Sequence, residues 1–392
     1  MAGASERGLR FGVAGLGRAF SVMLPTFIAD PRVTLVAGTD LRPEARRQFA
    51  ADFAARTYTT VEELCADPGV EAVYVATPHE HHVLHATLAA QHGKHLLIEK
   101  PMALTLDGCR TIVDAARTSS VQVVVGHSHS FDAPIQRMRD LIASGDFGRV
   151  RMINAINYTD YLYRPRRPEE LDTAQGGGAV FNQAAHQVDI VRLIGGGRIE
   201  TVRAITGSWD SRRATEGAYA ALLAFENGAF ASLTYNGYGH FDSDEFQDWI
   251  GEMGETKTPH TKSRRRFETS DEEIAFKNAR NYGGADFKPS CGRAVAHQNF
   301  GTLLVSCDRA DLRALPNGVM IYQDGSARLD ALPPPTVPRA EVIDELYQAV
   351  VDGKAPLHDG AWATATVEVL LAMLRSAREG SDVRLGQQGA LP

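Results

Sequence analysis

The stretch Gly12-Val-Ala-Gly15-Leu-Gly17-Arg18-Ala19-Phe20 decides the fold of this chain of 392 residues. It follows an apolar run at 9–14 and opens an amphipathic pattern, so we predict a strand, a tight turn and a helix. Gly15 would permit the turn, and Gly17 would let the backbone approach a pyrophosphate at the helix N-terminus. Phe20 stands where a G-x-G-x-x-G pattern has its third glycine. A dinucleotide site is therefore predicted, with coenzyme-binding residues Gly12, Gly15, Gly17, Arg18 and Ala19.

An acidic residue follows the second predicted strand, which covers 33–38. A carboxylate at the position of Asp40 binds the ribose 2′-hydroxyl of a dinucleotide and repels a 2′-phosphate. This favours NAD over NADP. Arg42 leaves the choice open, because a nearby arginine can accept the 2′-phosphate. A glycine-rich turn in another kind of α/β domain is the structural alternative.

Apolar runs alternate with helical patterns through the first third of the chain. We predict strands at 9–14, 33–38, 70–76, 95–98 and 121–126, and helices at 18–29, 43–55, 80–92 and 105–118. Thr105 is the expected N-cap of the last of these helices. This alternation predicts right-handed βαβ units and a doubly wound parallel sheet, the Rossmann arrangement, over residues 1–131.

The pattern changes in the remainder, 132–392, which we predict to be a second α/β domain with a large, mostly antiparallel open sheet. Its predicted strands are 150–158, 200–209, 218–225 and 229–236, and its predicted helices are 133–143, 180–193, 339–351 and 361–378. Asn227-Gly228 is a strong hairpin signal between two of the strands. The polar stretch 254–292 is interpreted as a solvated excursion or a lid.

Composition excludes several classes of protein. The net charge of −7 argues against general nucleic-acid or anionic-membrane binding. No run approaches the ~18 apolar residues of a membrane helix, and the N-terminus lacks the apolar core of a secretory signal. The four cysteines form no C-x-x-C pair, which fits reduced thiols and no zinc framework. We therefore expect a cytoplasmic protein whose partner is a small molecule.

Three motifs together point to one family. They are Thr77-Pro78, Glu99-Lys100-Pro101 and Gly176-Gly-Gly178…Asn182…His186…Asp189. With the nucleotide pattern, they resemble the glucose–fructose oxidoreductase/inositol dehydrogenase (Gfo/Idh/MocA) family over nearly the whole chain. The resemblance implies an N-terminal Rossmann domain and a C-terminal α/β domain whose open sheet often mediates oligomerisation. A homo-oligomer, dimer or tetramer, is therefore expected.

The same resemblance implies site residues. It makes Lys100 the catalytic lysine and His186 the catalytic histidine, and it places His79 and His82 near the nicotinamide. Thr77, Pro78, His82, Glu99 and Lys100 are accordingly expected among the residues that bind the coenzyme. An unperturbed histidine pKa near 6.5 suits a general base at neutral pH. Whether Lys100 or His186 removes the proton remains open.

One position departs from the family pattern. Many members have aspartate four residues before the catalytic histidine, where this chain has Asn182. An amide cannot act as a base, but Asn182 could orient a hydroxyl or the nicotinamide amide, so it stays a catalytic candidate. Asp189 lies one helical turn after His186 and either braces that helix or is a surface acid.

Four further stretches, 163–168, 181–189, 248–255 and 356–362, are similar to the branch of the family that oxidises phthalate-type cis-dihydrodiols. Guanidinium groups bind carboxylates bidentately, so the arginines of 163–168 form a candidate clamp for a dicarboxylate. A solvated basic loop is an equally good interpretation. His129 follows a strand end and could line the pocket. The substrate-binding candidates are Arg164, Arg166, Arg167, His186, Asn182 and His129.

The resulting hypothesis is an NAD-dependent dehydrogenase that oxidises a carboxylated aromatic cis-dihydrodiol, of the phthalate 4,5-type, to the catechol. Two alternatives remain: a sugar or inositol dehydrogenase of the same family, and a non-catalytic NAD-binding regulator. His81 and His85 have the i, i+4 spacing of a metal pair but lack the rest of an H-E-x-x-H motif. We therefore expect no metal.

Overall fold

The computed structural model describes residues 7–260, 265–289 and 294–388. These residues form two compact units. Within the described ranges, the first draws on 7–127, 271–289 and 337–364, and the second on 128–260, 265–270, 294–336 and 365–388. The sequence boundary at 131 lies close to the change of unit after His127. The sequence did not place 271–289 or 337–364 with the first unit, because that grouping depends on contacts between residues far apart in the chain.

Six strands of the first unit form a parallel sheet in the order β3-β2-β1-β4-β5-β6. They are β1 (Leu9–Ala14), β2 (Val33–Thr39), β3 (Arg56–Tyr58), β4 (Ala72–Val75), β5 (His95–Ile98) and β6 (Val123–Val125). All residues of the central strand β4 and of the edge strand β6 are buried, as expected for a parallel sheet covered on both faces. The predicted Rossmann sheet is confirmed, and β3 is an addition that the sequence patterns did not reveal.

The helices follow the predicted pattern closely in the first third. In chain order they are α1 (Arg18–Ala29), α2 (Pro43–Phe53), α3 (Val61–Ala66), α4 (His82–Gln91), α5 (Leu106–Thr118), α6 (Ala133–Ala143), α7 (Ala185–Gly195), α8 (Ser270–Arg280), α9 (Ala340–Val351) and α10 (Gly360–Glu379). Thr105 caps α5 as predicted, because its hydroxyl accepts the Gly108 N–H at 3.0 Å. The short helix α3, which begins with a capping box on Thr60 and Glu63, was not predicted.

The second unit contains a nine-stranded sheet in the order β14-β13-β12-β11-β7-β10-β9-β8-β15. Its strands are β7 (Val150–Tyr158), β8 (Ile199–Gly207), β9 (Ala218–Phe225), β10 (Phe230–Asn236), β11 (Thr302–Cys307), β12 (Asp311–Leu315), β13 (Gly318–Gln323), β14 (Ser326–Ala331) and β15 (Val383–Arg384). Only β7 and β10 pair in parallel; the other neighbours are antiparallel. The predicted mostly antiparallel sheet is confirmed, although β11–β14 had not been predicted as strands.

The predicted hairpin is present between β9 and β10. Phe225 N–H donates to the Ala229 carbonyl at 2.9 Å, and Gly228 adopts φ of +86° in the turn. Buried and exposed residues alternate along β9, so one face of the sheet packs inward and the other is open. Among the described residues, no helix combines the length and the apolarity that crossing a membrane requires. Cys65 and Cys109 are buried free thiols, and Cys291 lies outside the described residues.

Candidate active site

The turn after β1 has the backbone geometry that the glycine pattern predicts. Gly15 has φ of +98°, and a Cβ there would lie 2.7 Å from the Ala76 carbonyl oxygen, so only glycine fits. Gly17 is the N-cap of α1, and a Cβ built on it would meet no atom within 4 Å. Arg18 and Ala19 follow in the first helical turn, and Arg18 is exposed. Open space at this N-terminus fits a coenzyme pyrophosphate.

Two residues of the same stretch serve packing. Gly12 lies inside β1, where a Cβ would come within 3.0 Å of the Leu64 side chain. Gly12 thus permits close packing inside the strand, and its contribution to coenzyme binding stays a prediction. Phe20 is fully buried, with its ring 5.7 Å from that of Phe49 and 6.4 Å from that of Phe27. At the position of the third glycine, Phe20 therefore contributes to aromatic packing between α1 and α2.

Asp40 is the centre of a hydrogen-bonded cluster at the end of β2. Its carboxylate accepts the Leu16 N–H and the Arg42 N–H, each at 2.8 Å. The Arg42 guanidinium contacts the same carboxylate at 3.1 Å. It also donates to the carbonyl oxygens of Leu16 at 2.9 Å and Tyr282 at 3.1 Å. Asp40 and Arg42 therefore form one unit, in which the arginine is turned inward.

His82 connects the segments that follow β4 and β5. Its Nε2 lies 2.8 Å from the Thr77 carbonyl oxygen and its Nδ1 lies 3.0 Å from the Pro101 carbonyl oxygen. The side chain is fully buried, and burial lowers the pKa of His82. The predicted contact between His82 and the coenzyme stays a prediction, and the structure places the His82 ring against backbone carbonyl groups. His82 fixes the backbone beside Thr77 and Pro78, which are both partly exposed.

The histidine pair with metal spacing is used in hydrogen bonding. The rings of His81 and His85 lie 5.6 Å apart, and His85 Nδ1 is bonded to the Thr77 hydroxyl at 3.0 Å. Burial, together with the neighbouring His81 and His82, lowers the pKa of His85 to about 4. Among the described residues there is no cluster of three or more histidine, cysteine or acidic side chains suited to a metal ion.

Glu99 and Lys100 follow β5, at the edge of the sheet where ligands collect in such folds. The hydroxyl of the fully buried Tyr74 donates to Glu99 Oε1. Burial raises the pKa of Glu99, while the Tyr74 hydrogen bond and the charge of Lys100 act in the opposite direction. Tyr74 thereby fixes the Glu99 carboxyl next to Lys100, which is partly exposed.

In the second unit, His186 lies near the start of α7. Its ring centroid is 4.8 Å from those of both His129 and Phe300. A single π-helical segment, Val180–Ala184, leads directly into α7, and such segments are frequent at functional sites. His186 and His129, which the sequence proposed separately, are therefore brought together.

His129 is held between two carboxylates. Its Nδ1 lies 2.7 Å from Asp132 Oδ2 and its Nε2 lies 3.6 Å from Glu252 Oε1. Burial alone would lower the pKa of His129, but the charges and hydrogen bonds of Asp132 and Glu252 outweigh it and raise the pKa. Asp132 and Glu252 thus shift the protonation equilibrium of His129, next to His186, toward the imidazolium.

Asn182 is engaged with the glycine loop that precedes it. Its side-chain N–H₂ group donates to the carbonyl oxygens of Gly176 at 3.0 Å and Gly178 at 2.9 Å. Both glycines adopt positive φ, at +85° and +83°. The side-chain nitrogen of Asn182 therefore fixes the loop that leads into the helix of His186. The prediction that Asn182 takes part in catalysis stays a prediction, and its side-chain N–H₂ group acts on the backbone of the glycine loop.

Asp189 is a buried bracing residue and not a surface acid. Ser130 donates to its Oδ2, and the Thr366 hydroxyl donates to its Oδ1 at 3.1 Å. Arg192, also fully buried, donates to the same Thr366 hydroxyl at 2.7 Å. This network joins α7 to the segment that carries His129.

Only one arginine of the predicted clamp reaches the solvent substantially. The Arg166 guanidinium stacks 3.8 Å from the centroid of the Tyr161 ring and donates to the Tyr161 carbonyl at 2.8 Å. Arg167 pairs with Glu170 at 3.6 Å. Arg164 is 44% exposed and lies 3.7 Å from Glu252. Two of the three arginines thus stabilise their own loop, and the carboxylate clamp stays a prediction.

Two family models match the chain. The Gfo/Idh/MocA oxidoreductase family with an NAD-binding Rossmann fold matches residues 9–127, and the Gfo/Idh/MocA C-terminal domain matches residues 135–256. The chain belongs to the Gfo/Idh/MocA oxidoreductase family. The resemblance stated from the sequence motifs is therefore confirmed.

Relatives of this Gfo/Idh/MocA protein include dehydrogenases of cyclic diols. It is 46% identical over 383 residues to 1-carboxy-3-chloro-3,4-dihydroxycyclohexa-1,5-diene dehydrogenase of Comamonas testosteroni, covering 94% of this chain and 95% of the relative. It is 29% identical to trans-1,2-dihydrobenzene-1,2-diol dehydrogenase of Macaca fascicularis over 48% of this chain and 57% of the relative. A solved structure from Bordetella bronchiseptica RB50, described as a candidate dehydrogenase, has a TM-score of 0.91 and 39% identity, with 96% and 100% of the two chains covered.

Sequence reasoning missed two acidic residues of this Gfo/Idh/MocA site. Asp132 lies three residues after His129, and this i, i+3 spacing was a usable signal. Glu252 lies within 248–255, a stretch noted only for its similarity to other family members. Its contact with Arg164 and His129 joins segments distant in the chain, so no local pattern predicts it.

Proposed function

We propose that this protein oxidises a carboxylated cyclic cis-diol with NAD, of the kind represented by phthalate 4,5-cis-dihydrodiol, and forms the corresponding catechol. The observation that carries the proposal is the full-length similarity to a dehydrogenase whose named substrate is a carboxylated dihydroxycyclohexadiene. The paired histidines of the second unit supply acid–base groups for such a reaction. NAD, when bound, supplies the hydride acceptor.

The reaction removes one hydride and one proton from a carbinol group. The C–H bond of the carbinol carbon breaks as hydride leaves, and the O–H proton passes to a protein base. The resulting ketone tautomerises as the neighbouring carbinol carbon loses its proton and the carbonyl oxygen gains one, which yields the aromatic catechol. We assign proton removal to His186 and polarisation of the substrate oxygen to Lys100. The gain of aromaticity favours the forward direction.

Neighbouring residues support His186 as the base. The His129 ring, whose pKa Asp132 and Glu252 raise, lies edge-on to the His186 ring with 4.8 Å between the centroids. In its protonated form His129 would stabilise an alkoxide that develops close by. Asp189, through Ser130 and Thr366, restrains the helix on which His186 stands. His129 is therefore assigned a positioning and electrostatic role.

Arg164 is our candidate for binding the substrate carboxylate. It is the most exposed of the three loop arginines. Its present partners are Asp160 at 3.1 Å and Glu252 at 3.7 Å. A guanidinium with an exposed edge can donate two parallel hydrogen bonds to a further carboxylate. One such arginine suits one carboxylate, so a monocarboxylated diol is as good a candidate as the phthalate-type dicarboxylate.

Replacement of His186 tests the assignment of the base. His186→Ala should retain NADH binding, because His186 belongs to the other unit from the dinucleotide turn, and should lower the rate of NADH production by about 10²- to 10⁴-fold. Lys100→Ala is the matched comparison for the alternative base. Near-normal turnover of His186→Ala on a carboxylated cis-dihydrodiol would refute the assignment.

We also propose that the protein is a homo-oligomer joined through the nine-stranded sheet. Ile205, Leu222 and Phe230 are exposed on β8, β9 and β10. The strand register places Ile205 and Leu222 on the same face, with Phe230 in line with them. Contiguous exposed apolar side chains commonly mark an interaction surface. Analytical ultracentrifugation tests this: Leu222→Lys should dissociate the assembly, and a monomeric wild-type protein would refute it.

A further inference from the structure

Part of the polar stretch 254–292, which was predicted to be a solvated excursion or a lid, belongs to the same unit as the dinucleotide turn. Tyr282, two residues after α8, is 1% exposed. Its ring lies edge-on to Phe20 at 5.0 Å and to Phe49 at 6.5 Å. Phe20 is the residue that replaces the third glycine of the nucleotide pattern. The segment thus docks on the aromatic cluster between α1 and α2.

Polar contacts fix the docked backbone at the same place. Tyr282 N–H donates to the Ser21 hydroxyl at 3.3 Å, and the Tyr282 hydroxyl donates to Asp52 at 2.6 Å. Gly283 follows with φ of +76°, and a Cβ there would lie 2.5 Å from the Ala45 Cα. The chain therefore passes so close to α2 that only glycine fits.

The docked backbone presents one carbonyl to the Asp40 cluster. The Tyr282 carbonyl accepts a hydrogen bond from Arg42 Nη1 at 3.1 Å, while the Leu16 carbonyl accepts one from Nη2 at 2.9 Å. Asp40 binds Nε of the same guanidinium. The Nε, Nη1 and Nη2 groups of Arg42 therefore all donate hydrogen bonds within the protein. The arginine side chain is only 16% exposed.

We propose that Tyr282 and Gly283 determine coenzyme selectivity by holding Arg42 against Asp40. An arginine beside the ribose site is the group that would bind the 2′-phosphate of NADP. When the Tyr282 carbonyl holds it inward, the Arg42 guanidinium is withheld from a 2′-phosphate, and NAD is preferred. Release of the segment frees Arg42 to bind a 2′-phosphate. The inference rests on the proposed use of NAD and adds the residues that select it.

Binding of NADH and NADPH to the whole protein, measured by calorimetry without any substrate, tests the inference. Tyr282→Ala removes the anchoring ring, and Gly283→Ala forces the segment away from α2. In each variant, the ratio of the NADH affinity to the NADPH affinity should fall by about tenfold or more, which corresponds to one charge-assisted hydrogen bond. This fall in the affinity ratio should disappear when Arg42→Ala is added to either variant.

Two controls separate this effect from general damage. Gly93→Ala has the same strain at φ of +71° but no atom within 4 Å of its Cβ, and Tyr282→Phe keeps the ring and loses only the bond to Asp52. Both should keep the wild-type ratio. The inference would be overturned by an unchanged affinity ratio in Gly283→Ala, or by a fall in the ratio that persists when Arg42→Ala is also present. Wild-type protein that bound neither coenzyme, or preferred NADPH, would instead refute the NAD assignment in the proposed function.

Discussion

Replacement of Asn182 by aspartate restores the residue type that many family members carry, yet we expect it to damage this protein. The Asn182 amide donates to the Gly176 and Gly178 carbonyls at 3.0 and 2.9 Å. A carboxylate has no hydrogen to donate and would face both carbonyl oxygens. Loss of two hydrogen bonds costs about 2 kcal/mol, and the added repulsion brings the total to about 3 kcal/mol.

Asn182→Ala separates the two contributions, because it loses the hydrogen bonds without adding a charge. Denaturant unfolding at neutral pH should rank wild type above Asn182→Ala and Asn182→Ala above Asn182→Asp. The penalty for aspartate should shrink below about pH 5, because a protonated carboxyl can donate one hydrogen bond. Turnover should fall in both variants, since the loop leads into the helix of His186. An aspartate variant as stable as wild type, with higher activity, would refute this reasoning.

Three further outcomes follow from the geometry. Gly17→Ala should leave the melting temperature unchanged, because no atom lies within 4 Å of its Cβ position, but it should weaken NADH binding; Gly15→Ala should also destabilise the fold by about 1–3 kcal/mol. Arg164→Ala should raise the KM for carboxylated diols and leave the KM for uncarboxylated diols unchanged. Glu252→Gln should lower the KM for carboxylated diols, because it removes a negative charge 3.7 Å from Arg164. Equal effects on the KM of both substrate types would refute the carboxylate site. The pKa of His129 is raised in the folded protein. Its contribution to the free energy of unfolding is therefore fully present below the unfolded-state pKa near 6.5 and is lost as pH rises through the folded-state pKa. His129→Gln should accordingly lower the melting temperature more at about pH 5 than at about pH 9.

Local patterns predicted the first unit well because its strands are short apolar runs separated by helical patterns. The glycine turn, the Thr105 cap and the Asn227-Gly228 hairpin are each determined by a few adjacent residues. The strands at 302–331 were not recognised. Residues of β14 are mostly exposed, so that strand lacks the apolar alternation on which a strand prediction depends.

The contacts that could not be predicted join distant segments. Tyr282 reaches Arg42 and Phe20, and Glu252 reaches His129 and Arg164, all through tertiary packing. The role of Asn182 was hidden for another reason. Its identity as an amide was visible, but the carbonyl oxygens that require an amide donor become apparent only in the folded glycine loop.

Exposure of the purified protein to NAD and a carboxylated cis-dihydrodiol, with NADH absorbance and catechol formation followed together, tests the proposed function most directly. The matched comparisons are the same diol without its carboxylate, and an inositol. We predict NADH and catechol in equal amounts from the carboxylated diol, with a much lower kcat/KM for the other two compounds. Preferred turnover of the inositol, or NAD binding without turnover of any diol or sugar, would contradict the proposal.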